Sequence, residues 1–242
     1  MSLDWHAAWQ ALIHHPLFGV GITLGAYQLA LAAYERNRWL LLKPLLQPVL
    51  LSMLAVIGVL LACGLSYREY QQSAQLLIIL LGPATVALAV PLFVNLRRIR
   101  QLLWPTLLTL LIGGVVATLL GVALAWAFGA EQMILMTMAP KSVTSPIAML
   151  VAEQIGGVAA LAAVFVLITG VIGAIFGPAL LSRFGVHSPE ARGMSLGVTA
   201  HAVGTSVALQ ESDECGAFAA LAMSLMGVAT AVFLPLAVSL VA

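Results

Sequence analysis

The stretch Met138–Glu153, MAPKSVTSPIAMLVAE, decides how this chain folds. It sets Lys141 between Pro140 and Pro146, with hydroxyls at Ser142, Thr144 and Ser145 and apolar sequence of membrane type on both sides. An unbroken membrane helix does not accommodate this string, because a proline inside a helix removes a donor and frees a carbonyl. A half-helix beginning near Pro146 aims free N–H groups and a positive dipole end at the gap. With Lys141 and the hydroxyls lining it, that gap suits a carboxylate. The plainer reading is a short loop from which Lys141 snorkels to the membrane surface, the prolines marking turns. Charges within membrane segments are rare and usually functional, which favours the binding reading.

Composition sets the surroundings of this stretch. The 242 residues are 62% hydrophobic and 8% charged, with a mean hydropathy of +1.08. A soluble domain carries about 25% charge. Seven to eight apolar runs each approach the roughly 20 residues that a helix needs to cross the hydrocarbon core. A barrel would show shorter alternating segments. The expectation is an all-α polytopic membrane protein, since every backbone polar group must be satisfied within lipid. Residues 1–242 form a single membrane domain whose partner on all sides is membrane lipid. The net charge of +1 offers no surface for nucleic acid. Cys63 and Cys215 end apolar runs and suggest neither a disulfide framework nor a metal site, and no cofactor is indicated. The first residues, MSLDWHAAWQ, lack the positive region of a cleavable signal.

Outward from the opening stretch, spans are expected at 17–34, 49–65, 76–95, 103–128, 156–181, 194–210 and 217–241. The third is interrupted at Gly82-Pro83 and again at Pro91. Lysine and arginine accumulate on the cytoplasmic side, so loop charge orients the chain. If Glu131–Glu153 is re-entrant from the outside, Arg36, Arg38, Lys43, Arg97, Arg98, Arg100, Arg183 and Arg192 fall inside. Arg68 and Lys141 remain on the outer side, with the acids Glu211, Asp213 and Glu214. The N-terminus is then outside and the C-terminus inside. The string K-x-x-x-x-P occurs at Lys43–Pro48 and again at Lys141–Pro146. Each copy leads through a span to a Leu-Gly segment, LLGPATVALAVP or SLGVTAHAVGTS, and then to one more span. The reading is two inverted three-helix repeats with interrupted or re-entrant helices, 39–128 and 131–242, after a first span at 17–34. Paired, interrupted helices in inverted repeats point to a secondary carrier with a site near the midplane.

His201 is the one histidine within an apolar run. It binds substrate, relays a proton, or only hydrogen-bonds a neighbouring helix. Thr199, Gly204, Thr205 and Ser206 lie beside it. Gly113, Gly114, Gly121, Gly170, Gly173 and Gly177 read as close helix packing. An intramembrane hydrolase is set aside. Ser195 and His201 lie six apart, on opposite faces of one helix, and no G-x-S-x-G or H-E-x-x-H string is present. The candidate substrate-binding residues are Lys141, Ser142, Thr144, Ser145, His201, Gly204, Thr205 and Ser206. No residue is assigned a catalytic role.

Four strings, KPLLQP (43–48), PKSVTSPIAM (140–149), ARGMSLGVTAHAVGTSVAL (191–209) and GAFAALAM (216–223), resemble the LrgB/CidB family of bacterial membrane proteins. That family includes the larger half of the plastid glycolate/glycerate translocator, and the similarity extends over about residues 17–240. The resemblance implies a bacterial cytoplasmic (inner) membrane protein with a small partner membrane protein of the LrgA/CidA type. It also implies one of two functions. One is a holin/antiholin-like system affecting murein hydrolase activity and autolysis. The other is carriage of monocarboxylates or hydroxy acids such as pyruvate, glycolate, glycerate or 3-hydroxypropionate. The residues themselves favour a carrier for a small organic anion working by alternating access, because a holin needs no proline-flanked lysine and no midplane histidine. A scaffold that shares its path with the partner is a third reading. Carriers of the elevator type pair through a fixed domain, so a homo-oligomer is expected.

Overall fold

The computed structural model describes residues 5–36 and 47–240, all in helices and short connections. Residues 37–46 lie outside the described residues. Arg38, Lys43 and most of the first K-x-x-x-x-P string are therefore not placed.

The chain divides into two compact units, Met1–Ala87 and Leu88–Ala242. The first holds α1 (Trp5–Ile13), α2 (Phe18–Arg36), α3 (Pro48–Cys63), α4 (Tyr67–Ser73) and α5 (Gln75–Ala87). Gln47 caps α3 by accepting from the Val49 N–H, and Pro48 opens the helix where its missing donor costs nothing. Gly64, at φ 65°, ends it. The chain then bends by 115° into α4. A capping box of Ser66 and Glu69 starts α4. α2 packs on α3 and α4. The Gly19 N–H donates to Ser73 Oγ at 3.1 Å, and Thr23 Oγ1 lies 2.8 Å from the Tyr70 hydroxyl.

The second unit holds α6 (Ala89–Val94), α7 (Leu96–Gln101), α8 (Leu103–Ala127), α9 (Gln132–Met138), α10 (Ser145–Gln154), α11 (Ala159–Arg183), α12 (Pro189–Glu211) and α13 (Asp213–Ser239). Among the described residues, four helical stretches are long and apolar enough to cross a membrane: Gln75–Val94, Leu103–Ala127, Ala159–Arg183 and Asp213–Ser239. A fifth is reached if α3 and α4 count as one bent span. The expected interruption at Gly82-Pro83 does not occur; Pro83 lies inside α5. The helix breaks at Leu88 instead. Pro91 explains this, because it has no N–H for the carbonyl four residues earlier.

One expected span is absent. α12 is 23 residues long, but His201 at its centre has φ 41° and ψ −127°. The segment folds there into two arms, 189–200 and 202–211. Arg192 and Glu211 are hydrogen-bonded at 2.6 and 2.7 Å, whereas a straight helix would hold them about 28 Å apart. A Cβ on Gly193 or Gly197 would lie 2.2 or 2.3 Å from the carbonyl oxygens of Cys215 and Ala219. The first arm therefore runs parallel to the start of α13. Thr205 meets Met223, and Leu209 meets the Gly216 backbone, so the second arm runs back. Residues 194–210 thus do not cross, and the acids at 211–214 return to the end from which the segment entered. This corrects the expected span and puts those acids at the same end as Arg192 instead of the opposite one. The 131–242 segment carries two long apolar helices and two hairpins in place of three crossings.

The buried core of this unit joins Val143 and Ala148 to Val166 of α11, Val198 of α12, and Phe218, Ala222 and Met226 of α13. Alanine and glycine predominate where α12 meets α13, which lets the backbones approach as they do in membrane helix pairs.

Candidate functional site

The opening stretch forms the other hairpin. α9 ends at Met138, residues 139–144 form turns, and α10 begins at Ser145 with Pro146 in its first turn. Thr137 Oγ1 accepts from the Val158 N–H at 2.9 Å, 21 positions away. A crossing would separate these groups by about 30 Å. Ile147 lies against Gly227, while Val151 and Ile155 cluster with Leu234 and Val238. α10 therefore runs parallel to α13, towards the C-terminal end of α13. The start of α13 lies at the opposite end, where Glu214 is 3.8 Å from Arg98. The two hairpins enter the unit from opposite ends.

Their tips reach one depth. Lys141 Nζ donates to the Ala117 carbonyl of α8 at 2.9 Å and lies 3.5 Å from Ser142 Oγ. Its stem fills a notch at Gly121, where a Cβ would be 2.6 Å from Lys141 Cε. On the other hairpin, Val198 lies 4.0 Å from the Cβ position of Gly113 on α8. His201 is three residues beyond Val198, about 4.5 Å along the arm, and Ala117 is about 6 Å along α8 from Gly113. Val143 and Val198 sit in one buried cluster with Val166 between the tips.

The second tip is locked to α11. His201 is 4% exposed. Its Nε2 lies 3.0 Å from the Val166 carbonyl, and its ring rests on Gly170. Ala200 and Leu196 fill the spaces over Gly173 and Gly177. A histidine at this positive φ occupies backbone space that glycine adopts freely, at a cost on the order of 1–3 kcal/mol.

The other candidates divide. Ser142 is buried at the first tip, and Thr144 and Ser145 open α10, whose cap makes no side-chain hydrogen bond. The first-turn amides of α10 face the tip with their positive dipole end. Thr205 and Ser206 spend their hydroxyl hydrogens on the carbonyls of His201 and Val203, at 2.9 and 2.7 Å. Gly204 packs against Leu196, where a Cβ would meet its carbonyl at 2.3 Å. These three build the second arm. Sequence reading missed Ala117, Val166, Gly121 and Gly170 as partners of the two tips. The glycines were read as packing, and no local signal in the sequence marks which side chain a glycine receives.

Charges gather at the end where the second hairpin enters. Arg98 of α7 bonds Glu190, with Nε at 2.7 Å, and reaches Glu214 at 3.8 Å. Arg192 also donates to Ser182 Oγ at 3.1 Å and to the carbonyls of Val186 and Pro178. The Glu190 carboxyl is held below its ordinary value by a backbone hydrogen bond within its own residue and by the Arg98 guanidinium. A separate cavity of about 510 Å³ lies between α8 and α13, lined by apolar side chains with Thr118 and Thr230. It does not include Lys141 or His201.

These features define a multi-pass, all-helical membrane protein built around two opposed, broken hairpins. The chain belongs to the LrgB-like family, whose model matches residues 23–240. It is 34% identical to the holin-like protein CidB of Staphylococcus epidermidis over 197 residues, 81% of this chain and 86% of that protein. It is also 34% identical to the uncharacterized protein YxaC of Bacillus subtilis over 217 residues, 90% and 93% of the two chains. The antiholin-like protein LrgB of Bacillus cereus is 28% identical over 221 residues, 91% and 95%. No solved structure matches.

Proposed function

We propose that the protein is a secondary carrier for a small organic anion, a monocarboxylate or hydroxy acid of the size of pyruvate, glycolate, glycerate or 3-hydroxypropionate. The observation that supports this reading is that the two hairpins, one carrying Lys141 against α8 and the other His201 against α11, enter from opposite ends and bring their tips to a similar depth. Discontinuous helices whose N-termini face the midplane recur in carriers of anionic substrates. Lys141 supplies charge, and Ser142, Thr144, Ser145 and the first amides of α10 supply hydrogen bonds. His201 binds the carboxylate or relays a proton. Gly204, Thr205 and Ser206 shape the second tip and present the amides of its outgoing arm. No cofactor and no catalytic step enter this scheme.

Positive charge orients the unit in a bacterial inner membrane. Arg97, Arg98, Arg100, Arg183 and Arg192 place the mouth of the second hairpin on the cytoplasmic side, and the Lys141 hairpin then enters from outside. Loop charge still sets the N-terminus outside. If α2 and the bent pair α3–α4 are counted as crossings beside the four long apolar stretches, the crossings number six and the C-terminus is outside as well. On that count three crossings lie between the two K-x-x-x-x-P strings in the sequence, as inverted copies would require. The second pair of segments is broken in both copies but differs in depth, because LLGPATVALAVP breaks at Leu88 within a stretch long enough to cross and SLGVTAHAVGTS folds back at His201. An LrgA/CidA-type small membrane protein and further copies of the chain complete the assembly.

A holin/antiholin-like regulator of murein hydrolase activity and autolysis is the second reading. The names of the similar proteins, holin-like CidB and antiholin-like LrgB, support it more directly than they support carriage. Uptake of labelled pyruvate or glycolate into proteoliposomes separates the two, assayed with and without the LrgA-type partner. Saturable, competitively inhibited uptake that falls in Lys141→Ala and His201→Ala supports the carrier. Non-saturable leakage of unrelated solutes supports the regulator, and uptake unchanged in both variants removes the assigned site.

A further inference from the structure

The ion pairs at the mouth of the second hairpin fall into two kinds. Arg192 joins the two arms through Glu211 and also holds the end of α11 through Ser182, Val186 and Pro178. Together with the glycine contacts of α12 against α11 and α13, it makes those three helices one body. Arg192 is 12% exposed at its side chain, and its bonds stay within that body. Arg98 differs. It stands on α7, outside the body, and reaches into it twice, to Glu190 on the first arm and to Glu214 at the start of α13. Its side chain is 49% exposed. Salt and competing anions reach such a pair easily.

We infer that Arg98 is a latch on the cytoplasmic side, holding α7 against the body of α11, α12 and α13 while the path from the hairpin tips to that side is shut. The inference rests on the carrier reading above. Release of Glu190 and Glu214 parts α7 from the first arm and opens a way to the depth of His201 and Lys141. The buried residue next to the latch is Ile99, which is packed in one cluster with Met194 and Phe218. Parting exposes it. Cys215 lies inside the moving body, 1% exposed against Glu211, and stays covered.

The test is thiol labelling of Ile99→Cys in the full chain in proteoliposomes with a membrane-permeant maleimide. Mass spectrometry counts Cys63 and Cys215 separately. Adding Arg98→Gln or Glu190→Gln is expected to raise labelling at position 99 about fivefold, the scale of a partly exposed ion pair. Arg98→Lys gives a smaller rise, and Cys215 stays protected throughout. Raising the salt concentration speeds labelling when Arg98 is intact and has no effect once it is Gln. Unchanged labelling at 99 in both variants overturns the latch, as does a parallel rise at Cys215, which reports general loosening. If labelling behaves as expected while uptake is never saturable, the latch stands and the carrier reading fails. If uptake is saturable and position 99 is indifferent to Arg98, the reverse holds.

Discussion

Arg192 and Glu211 lie 19 positions apart in one helical segment, yet share two hydrogen bonds of 2.6 and 2.7 Å. That pair turns a stretch long enough to cross most of a bilayer into a hairpin about half as deep. With arms of 12 and 10 residues, its apex lies roughly 15–18 Å from its mouth. This is close to the middle of a hydrocarbon core about 30 Å thick.

Removing one partner leaves the other charge unpaired in a partly covered site. Arg192→Gln is expected to destabilise the protein by about 2 kcal/mol, the scale for a charged hydrogen-bonded pair. Glu211→Gln should cost less, because Arg192 keeps its bonds to Ser182, Val186 and Pro178. Thermal unfolding in detergent measures both, and a double-mutant cycle isolates the coupling. Equal, negligible shifts would falsify the view that the pair closes the hairpin.

The apex itself is tested by two substitutions at one position. His201→Ala keeps a Cβ at φ 41° and loses the ring's contact with the Val166 carbonyl. His201→Gly loses the same ring but relaxes the backbone. The glycine variant should be more stable than the alanine variant by about 1–2 kcal/mol. Under the carrier reading both should lose saturable uptake to the same extent, because that reading gives the imidazole a part in transport. Full uptake in the glycine variant would show that only the turn matters.

The difference between these two hairpins explains how far the sequence could be read. The first is marked by Pro140 and Pro146, and proline has a local meaning that needs no tertiary context. The second turns at a histidine, with neither proline nor glycine at the apex. Its fold depends on Gly193 and Gly197 meeting α13 and on Arg192 finding Glu211. Those are contacts across space, and a scan along the chain shows only a weak, polar span. Counting that span as a crossing placed Glu211, Asp213 and Glu214 outside, away from Arg98 and Arg192. The candidate residues Lys141 and His201 were legible because a charge or an imidazole in apolar sequence is conspicuous. Their seats on Ala117 with Gly121, and on Val166 with Gly170, were not. Any of several glycines fits the same pattern.

Lys141 can be displaced without altering its charge. Gly121→Ala places a methyl 2.6 Å from Lys141 Cε, so the end of the lysine side chain must shift, and the expected result is a weaker hold of the ammonium on the Ala117 carbonyl. Under the carrier reading this raises the KM for a labelled monocarboxylate about tenfold, equivalent to roughly 1.4 kcal/mol of binding. Lys141→Ala abolishes saturable uptake. A normal KM in Gly121→Ala would mean that the position of the ammonium on α8 is irrelevant to binding.

The latch carries its own pH signature. The Glu190 carboxyl lies below its ordinary value because of a hydrogen bond from its own backbone and because of Arg98 beside it. A depressed carboxyl contributes stability that is complete above the ordinary carboxylate value and lost as pH falls through the lower, folded one. The contribution of Arg98–Glu190 is therefore constant from about pH 5 to pH 8 and declines below about pH 4. The difference in melting temperature between wild type and Glu190→Gln, followed from pH 8 to pH 3, should be flat and then shrink at the acid end. A difference that shrinks instead between pH 6 and pH 7 would point to a histidine and away from Glu190.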